Sequence, residues 1–294
     1  MLAAITVAGA VACGAEDDPK PDGQLSAALA GITEDASGGY LAYWNVQESK
    51  RLIGKDKELY GVLDGFGIAE VLQSRNEDEP LRTARGFDEN DVETAVQIAP
   101  QAARLTGRFD VKAAAAALRN RGWTEQKTDG GTLFDDGDAQ VAVAATVRSS
   151  SFGQGGNLPP LSPPEHSLVD DPAYQAVLRC VGEDTYHATF YGKTPENGLS
   201  GLILFAIGAH TRPDGSSRER LCALTESGKS ARIVTDALMT KTSKGERFAG
   251  ATVKADGGRT PMVTMEWANS TASGLKPGAQ RQTGELVRLL TPPR

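Results

Sequence analysis

Residues 103–136, ARLTGRFDVKAAAAALRNRGWTEQKTDGGTLFDD, place a strand, a helix and a hairpin in direct succession. Leu105–Phe109 predicts the strand, and the carboxylate of Asp110 is placed to accept the free amides of the helix that follows. Gly122 ends that helix, and Trp123 opens a hairpin that turns at DGG. This order predicts the α+β class, with antiparallel sheets and helices packed on one face.

The C-terminal half repeats this order loosely. It begins with the segment LCALTES, which is followed by the helix GKSARIVTDALMT and then by a hairpin over residues 248–268. This hairpin again turns at DGG, so the order matches that of residues 105–136. We therefore predict two related β-α-β-β modules and hypothesise an internal duplication. The DGG turn alone is weak support, since such turns are common in hairpins.

Residues 149–170 separate the two predicted modules, which cover residues 25–148 and 171–294. The separating segment is rich in serine, glycine and proline. That composition predicts a linker, or a long surface loop inside one domain. Ser149–Ser151 are accordingly predicted to be loop serines.

The N-terminal residues differ from the rest of the chain. Residues 1–12, MLAAITVAGAVA, are apolar but too short to cross a bilayer, which needs about 20 residues, and they resemble the apolar region of a signal peptide. The segment has no Lys or Arg after Met1, so either the true start lies upstream, or the segment is trimmed, or this interpretation is wrong. Residues 13–24 are polar and proline-bearing, which predicts a flexible tether.

The segment Ala10-Val11-Ala12-Cys13 resembles the lipobox of bacterial lipoproteins, although that motif prefers leucine where Ala10 stands. The resemblance implies a diacylglyceryl group on the sulfur of Cys13 and an acyl chain on its amine, and two or more chains anchor a protein durably. The alternatives are ordinary secretion and an N-terminal helix with a buried cysteine.

Two cysteines remain if Cys13 carries lipid. The remaining cysteines, Cys180 and Cys222, are then even in number, and in an oxidising exterior we expect them to form a disulfide. Closing a loop of roughly 40 residues would stabilise the fold by about 4 kcal/mol in the chain-entropy model. The alternative is two separate buried thiols.

Charge and motifs exclude several functions. The net charge is −7 and no basic stripe occurs, so a nucleic-acid partner has no electrostatic support. The chain has neither a nucleophile elbow nor a P-loop. His187 and His210 lie in predicted strands and could reach one sheet edge, but with His166 they are too scattered for a metal motif. Residues 135–138, DDGD, predict a turn more than a calcium loop. No cofactor or metal is predicted.

Five aromatic residues fall in predicted strands. Packing in the core explains them, and a ligand groove lined by some of them is the alternative. They are Tyr40, Tyr43, Trp44, Trp123 and Trp267.

The lipobox-like start, the tether and the segments GRFD…AL…GW…DGGTLF, DDPAYQAVLR and LCALTESGKSA together resemble lipoproteins of the actinobacterial cell envelope. The resemblance implies location and fold type, and it carries over no catalytic residue. We expect a non-enzymatic binding or scaffolding module on the outer face of the cytoplasmic membrane. Its partners would be the membrane, through lipid on Cys13, and an envelope protein or a small-molecule ligand. The alternatives are an envelope hydrolase whose site the fold assembles, and a carrier of small ligands or lipids.

Overall fold

The computed structural model describes residues 23–67, 80–98, 101–128, 130–153, 157–192, 199, 201–244, 246–280 and 284–291. The segment 1–12 and Cys13 lie outside these residues, as does the predicted tether 13–24 except for its last two residues. Gln24 already begins the first helix. In the part of the chain that is described, no helix combines the length and the apolar character that a membrane span requires.

Twelve strands of the described residues form a single antiparallel sheet in the order β11-β12-β10-β9-β8-β1-β2-β3-β7-β6-β5-β4. The strands are β1 Tyr40–Asn45, β2 Val92–Ile98, β3 Ala102–Gly107, β4 Thr124–Thr128, β5 Gly131–Asp135, β6 Ala139–Val143, β7 Val147–Phe152, β8 His187–Tyr191, β9 Leu202–Thr211, β10 Ser217–Thr225, β11 Thr252–Ala255 and β12 Met262–Ala268. The predicted α+β class with antiparallel pairing is confirmed.

The helices connect the strands and cover the sheet. The α-helices are α1 Gln24–Leu29, α2 Val46–Lys55, α3 Lys57–Tyr60, α4 Leu81–Arg85, α5 Val111–Asn120, α6 Pro172–Val181, α7 Gly228–Met239 and α8 Glu285–Leu290. Aspartates cap two of these helices: Asp110 accepts the N–H of Lys112 at 2.9 Å at the start of α5, as predicted, and Asp171 accepts that of Ala173 at 2.7 Å in α6.

The two halves of the molecule share one order of elements. Each half contains a helix, a three-stranded meander, a second helix and a hairpin, in that order. In the first half these are α1, β1–β3, α5 and β4–β5. In the second half they are α6, β8–β10, α7 and β11–β12. The N-terminal half also contains α2–α4, β6 and β7. Tyr43 of β1 pairs with Ala188 of β8 at the junction, so the sheet continues from one predicted module into the other.

Helices pack on both faces of the sheet, which corrects the expectation of one helical face. On the α6 face, the side that bears Tyr43 and Ala206, helices α1 and α6 enclose one core. On the α7 face, the side that bears Trp44 and Ile207, α5 and α7 enclose two others. The reason is that a central strand such as β9 carries apolar residues on both sides and must bury both.

The predicted boundaries near residue 149 also need correction. Ser149–Ser151 are buried members of β7 and not loop serines. The strand runs between β3 and β6, which satisfy its backbone, so apolar side chains were not needed to hold it. Residues 139–147 contain β6, an irregular connection over residues 144–146 and the first residue of β7. From residue 157 the chain is irregular until Ser167, which bridges to Thr33.

Candidate functional site

The predicted disulfide is present. Cys180, at the end of α6, is bonded to Cys222 of β10 with an S–S distance of 2.04 Å and a Cα–Cα distance of 6.1 Å. Cys222 is fully buried, while Cys180 is partly exposed. The bond therefore fixes one helix of the α6 face to a central strand of the sheet.

A groove lies beside this disulfide, where the β11–β12 hairpin extends past the edge of α6. Its volume is about 560 Å³, which is within the range of pockets that hold small ligands. The helix packs on β9 and β10, so it leaves the same face of the last two strands uncovered. We call this the disulfide groove, and it is lined by Ala176, Arg179, Cys180, Leu224, Lys254, Ala255, Asp256, Thr260, Met262 and Thr264.

The disulfide groove has an apolar floor and a charged rim. Leu224 and Met262 in the floor are buried, whereas Arg179 and Lys254 are exposed on opposite walls. One carboxylate oxygen of Asp256 accepts the N–H of Met262 at 2.9 Å, which assigns that residue to the hairpin turn. The rim thus presents two cations and one acid, and the acid is already engaged by the backbone.

A network of arginines lies beside Cys180, outside the lining of the groove. Arg220 donates to the carbonyl of Cys180 at 2.9 Å and to Glu266 at 3.0 Å, and Arg212 also pairs with Glu266. Burial by itself raises the pKa of Glu266, but the hydrogen bond from Arg220 and the charge of Arg212 outweigh it and hold that pKa below its ordinary value. These groups satisfy one another.

The histidines do not share a site. His187 pairs with Ala209 of β9, so it lies on the α7 face, while the next residue of β9, His210, lies on the α6 face. Within the described residues, no three or more side chains of His, Cys, Asp and Glu are grouped as metal ligands. Residues 135–138 form a turn in which Asp135 accepts the N–H of Gly137 at 2.7 Å, as predicted.

Sequence reasoning missed one buried acid, Glu219 of β10. It accepts the indole N–H of Trp267 at 3.1 Å and the backbone N–H of Gly278 at 2.8 Å. Burial raises the pKa of Glu219 to about 7, although both hydrogen bonds oppose that change. Alternation in β10 was the available signal, because Glu219 stands two residues before the apolar Leu221 on the same face. The group has no solvent access, and it ties the chain before α8 to the sheet.

The aromatic residues pack in the core, as expected. Tyr43, Trp44, Trp123 and Trp267 are buried, and Tyr40 packs edge-on against Tyr191 with ring centroids 5.5 Å apart. Trp123 lies just before β4 and not within a strand. None of the five lines the disulfide groove.

Comparison with known proteins gives little. No protein-family model matches the chain. No curated protein matches it either. Two solved structures of TP0453 are similar over most of their length. Crystal form I has a TM-score of 0.47 at 13% identity, covering 84% of this chain and 94% of that one. Crystal form IV has a TM-score of 0.41 at 13% identity, covering 83% and 93%. Similarity this low carries no argument about function.

Proposed function

We propose that this chain is an exported, lipid-anchored binding module of the cell envelope. It is held at the outer face of the cytoplasmic membrane by lipid on Cys13. It binds, without chemical change, a small amphiphile that carries one anionic group. The Cys180–Cys222 pair supports an oxidising compartment, where such bonds persist. The lipobox-like segment supports the anchor.

The disulfide groove is the main support for binding of such an amphiphile. Its floor offers the apolar surface of Leu224 and Met262, which gains free energy when a ligand removes it from water. Its walls carry Arg179 and Lys254, whose charges attract an anion. A molecule with an apolar body and one anionic group satisfies both parts of the groove.

The lining of the groove favours binding over hydrolysis. Its ten described residues include no histidine, and the sulfur of Cys180 is held in the disulfide. The threonine hydroxyls of the groove therefore have no histidine base within the lining to activate them. The acid that burial perturbs most, Glu219, lies on the opposite face and has no access to the groove.

A fluorescence titration with 8-anilinonaphthalene-1-sulfonate tests the groove, since this probe joins apolar rings to one sulfonate. We expect saturable binding that Lys254→Glu weakens at least about fivefold, because the reversal replaces an attracting charge with a repelling one. Filling the floor with Thr264→Trp should abolish binding.

The matched control is Lys112→Glu, an exposed lysine of α5 on the α7 face. It changes the net charge equally and should leave the affinity within about twofold, since no contact is altered. Equal weakening by both charge reversals would show that only overall charge matters. Unchanged binding by Thr264→Trp would place the probe elsewhere. Either result contradicts the proposal.

A further inference from the structure

Strand β4 forms one edge of the sheet, and its outer side is unpaired. Its neighbour is β5, and no other described strand pairs with it. Both faces of β4 are open as well, because Glu125 is partly buried and the other four residues of the strand are exposed. An edge of this kind offers its backbone N–H and C=O groups to a further strand.

The β4–β5 hairpin determines which backbone groups point outward. Thr128 pairs with Gly131 across a two-residue connection, and the closing pair of such a turn is hydrogen-bonded. Bonded and non-bonded pairs alternate along an antiparallel ladder. Gln126 therefore bonds to β5, whereas the N–H and C=O groups of Glu125 and Lys127 point away from the sheet. These four groups make up the free edge.

The same two residues carry opposite charges on one face of β4. The Nζ of Lys127 lies 3.4 Å from a carboxylate oxygen of Glu125, which also pairs with Arg119 of α5. The side chain of Lys127 is 77% exposed, so it is accessible to a further acid. The strand reads Thr-Glu-Gln-Lys-Thr. When a second copy runs antiparallel to it, each acid is opposite a lysine, and the strand complements itself about Gln126.

We propose that β4 pairs with β4 of a second copy of this chain and forms a two-fold symmetric dimer. The axis passes between the two Gln126 residues. Glu125 of each copy exchanges two backbone hydrogen bonds with Lys127 of the other, and their side chains form an ion pair. The sheet then continues through both copies. This interface does not depend on the function proposed for the disulfide groove.

Charge and backbone geometry select this register. A shift by two residues in either direction places Glu125 opposite itself or Lys127 opposite itself, and like charges directly opposite are destabilising. A shift by one residue sets outward backbone groups against inward ones, which cannot bond. The other edge strand, β11, has one charged residue, Lys254, so two copies find no opposite charges there. The pairing of β4 with itself is therefore closed and stops at the dimer.

Sedimentation over a wide range of protein concentration tests the dimer. The full-length chain with Cys13→Ala is used, so that lipid cannot cause association. We expect a reversible equilibrium between monomer and dimer. Lys127→Glu should raise the dissociation constant of the dimer at least about tenfold, and so should Glu125→Lys, because each sets like charges opposite one another. A chain that stays monomeric throughout, or that assembles beyond the dimer, would overturn the proposal.

Mixing the two charge variants distinguishes pairing from damage to the fold. In an equimolar mixture one copy presents two acids and the other two lysines, so the mixture should form dimers as the parent chain does. Lys112→Glu is the control for overall charge, since this exposed lysine lies at the far end of α5 from Arg119. It should leave the dissociation constant within about twofold. A mixture that remains monomeric, or a control that weakens the dimer equally, would contradict the pairing.

Cysteine cross-linking measures the register directly. In the same Cys13→Ala chain, Gln126→Cys places two thiols across the axis on residues whose Cα atoms are about 4.5 Å apart, within the range of a disulfide. Thr124→Cys is the matched control on the same exposed face, because four residues at about 3.4 Å each separate it from its own counterpart. We expect mild oxidation to link Gln126→Cys into dimers and to leave Thr124→Cys unlinked.

A mixed sample completes the register test. Thr124 of one copy is opposite Thr128 of the other, so Thr124→Cys mixed with Thr128→Cys should form linked dimers that neither variant forms alone. If Gln126→Cys does not link, or if Thr124→Cys alone links as readily, β4 does not pair with itself about Gln126 and the proposal fails.

Discussion

Glu219 shows how one residue makes the stability of the whole fold depend on pH. Its carboxyl is buried on the α7 face, and its pKa is raised to about 7, above the ordinary value for glutamate. The folded state therefore binds a proton more tightly than the unfolded state does. By linkage, the contribution of this group to stability is fully present below the ordinary pKa and is lost as pH rises through about 7.

We predict that Glu219→Gln removes this dependence. The amide has nearly the same shape and does not titrate, so it removes the pH dependence, although its NH2 group cannot accept one of the two N–H groups that the carboxyl accepts. Between pH 5 and pH 8 the free energy of unfolding of the wild type should fall by up to about 3 kcal/mol relative to that of the variant. Urea denaturation at both pH values measures this difference. If the free energies of unfolding of the wild type and the variant differ by the same amount at both pH values, the pKa of Glu219 is not raised in the folded state.

At the scale of elements, the disulfide fixes the position of α6 relative to the sheet. Cys180 and Cys222 are 42 residues apart. We predict that the double variant Cys180→Ala, Cys222→Ala lowers the free energy of unfolding by about 4 kcal/mol, because the unfolded chain regains the freedom that the bond removed.

Denaturation with and without reductant supplies the control for that prediction. Reductant should shift the midpoint of the wild type to that of the double variant and leave the variant unchanged. If reductant leaves the wild type unchanged as well, the two cysteines are not bonded in the protein. If it shifts the variant, it acts through something other than this bond.

The elements themselves were largely predictable from the sequence because their signals are local. Asp110 and Asp171 mark helix starts through side-chain hydrogen bonds within one turn. The spacing of Ala231, Val234 and Leu238, which places them on one side of α7, is also a local signal and marks the buried side of that helix. β7 gave no such signal, because Ser149–Ser151 are polar and their place in the sheet comes from pairing with β3 on one side and β6 on the other.

The candidate sites were less predictable than the elements. The pairing of Cys180 with Cys222 follows from the number of cysteines once export is assumed. The disulfide groove depends on where α6 ends relative to the β11–β12 hairpin, which local patterns do not determine.

At the scale of the whole molecule, the sheet joins two halves that share one order of elements. The continuous pairing through β1 and β8 explains why the predicted boundary at residues 149–170 does not interrupt the sheet. The repeated order agrees with the hypothesis of a duplication.

We propose above all that the protein is exported, is anchored by lipid on Cys13 and contains one disulfide. Three measurements on the native protein and on a Cys13→Ala variant test this directly. They are the intact mass, membrane fractionation, and thiol labelling before and after reduction. We expect the native protein to have a lipid-modified mass and to lie in the membrane fraction, whereas the Cys13→Ala variant should be absent from that fraction. Two thiols should appear only on reduction. An unmodified protein outside the membrane fraction, with three thiols that react before reduction, would contradict it.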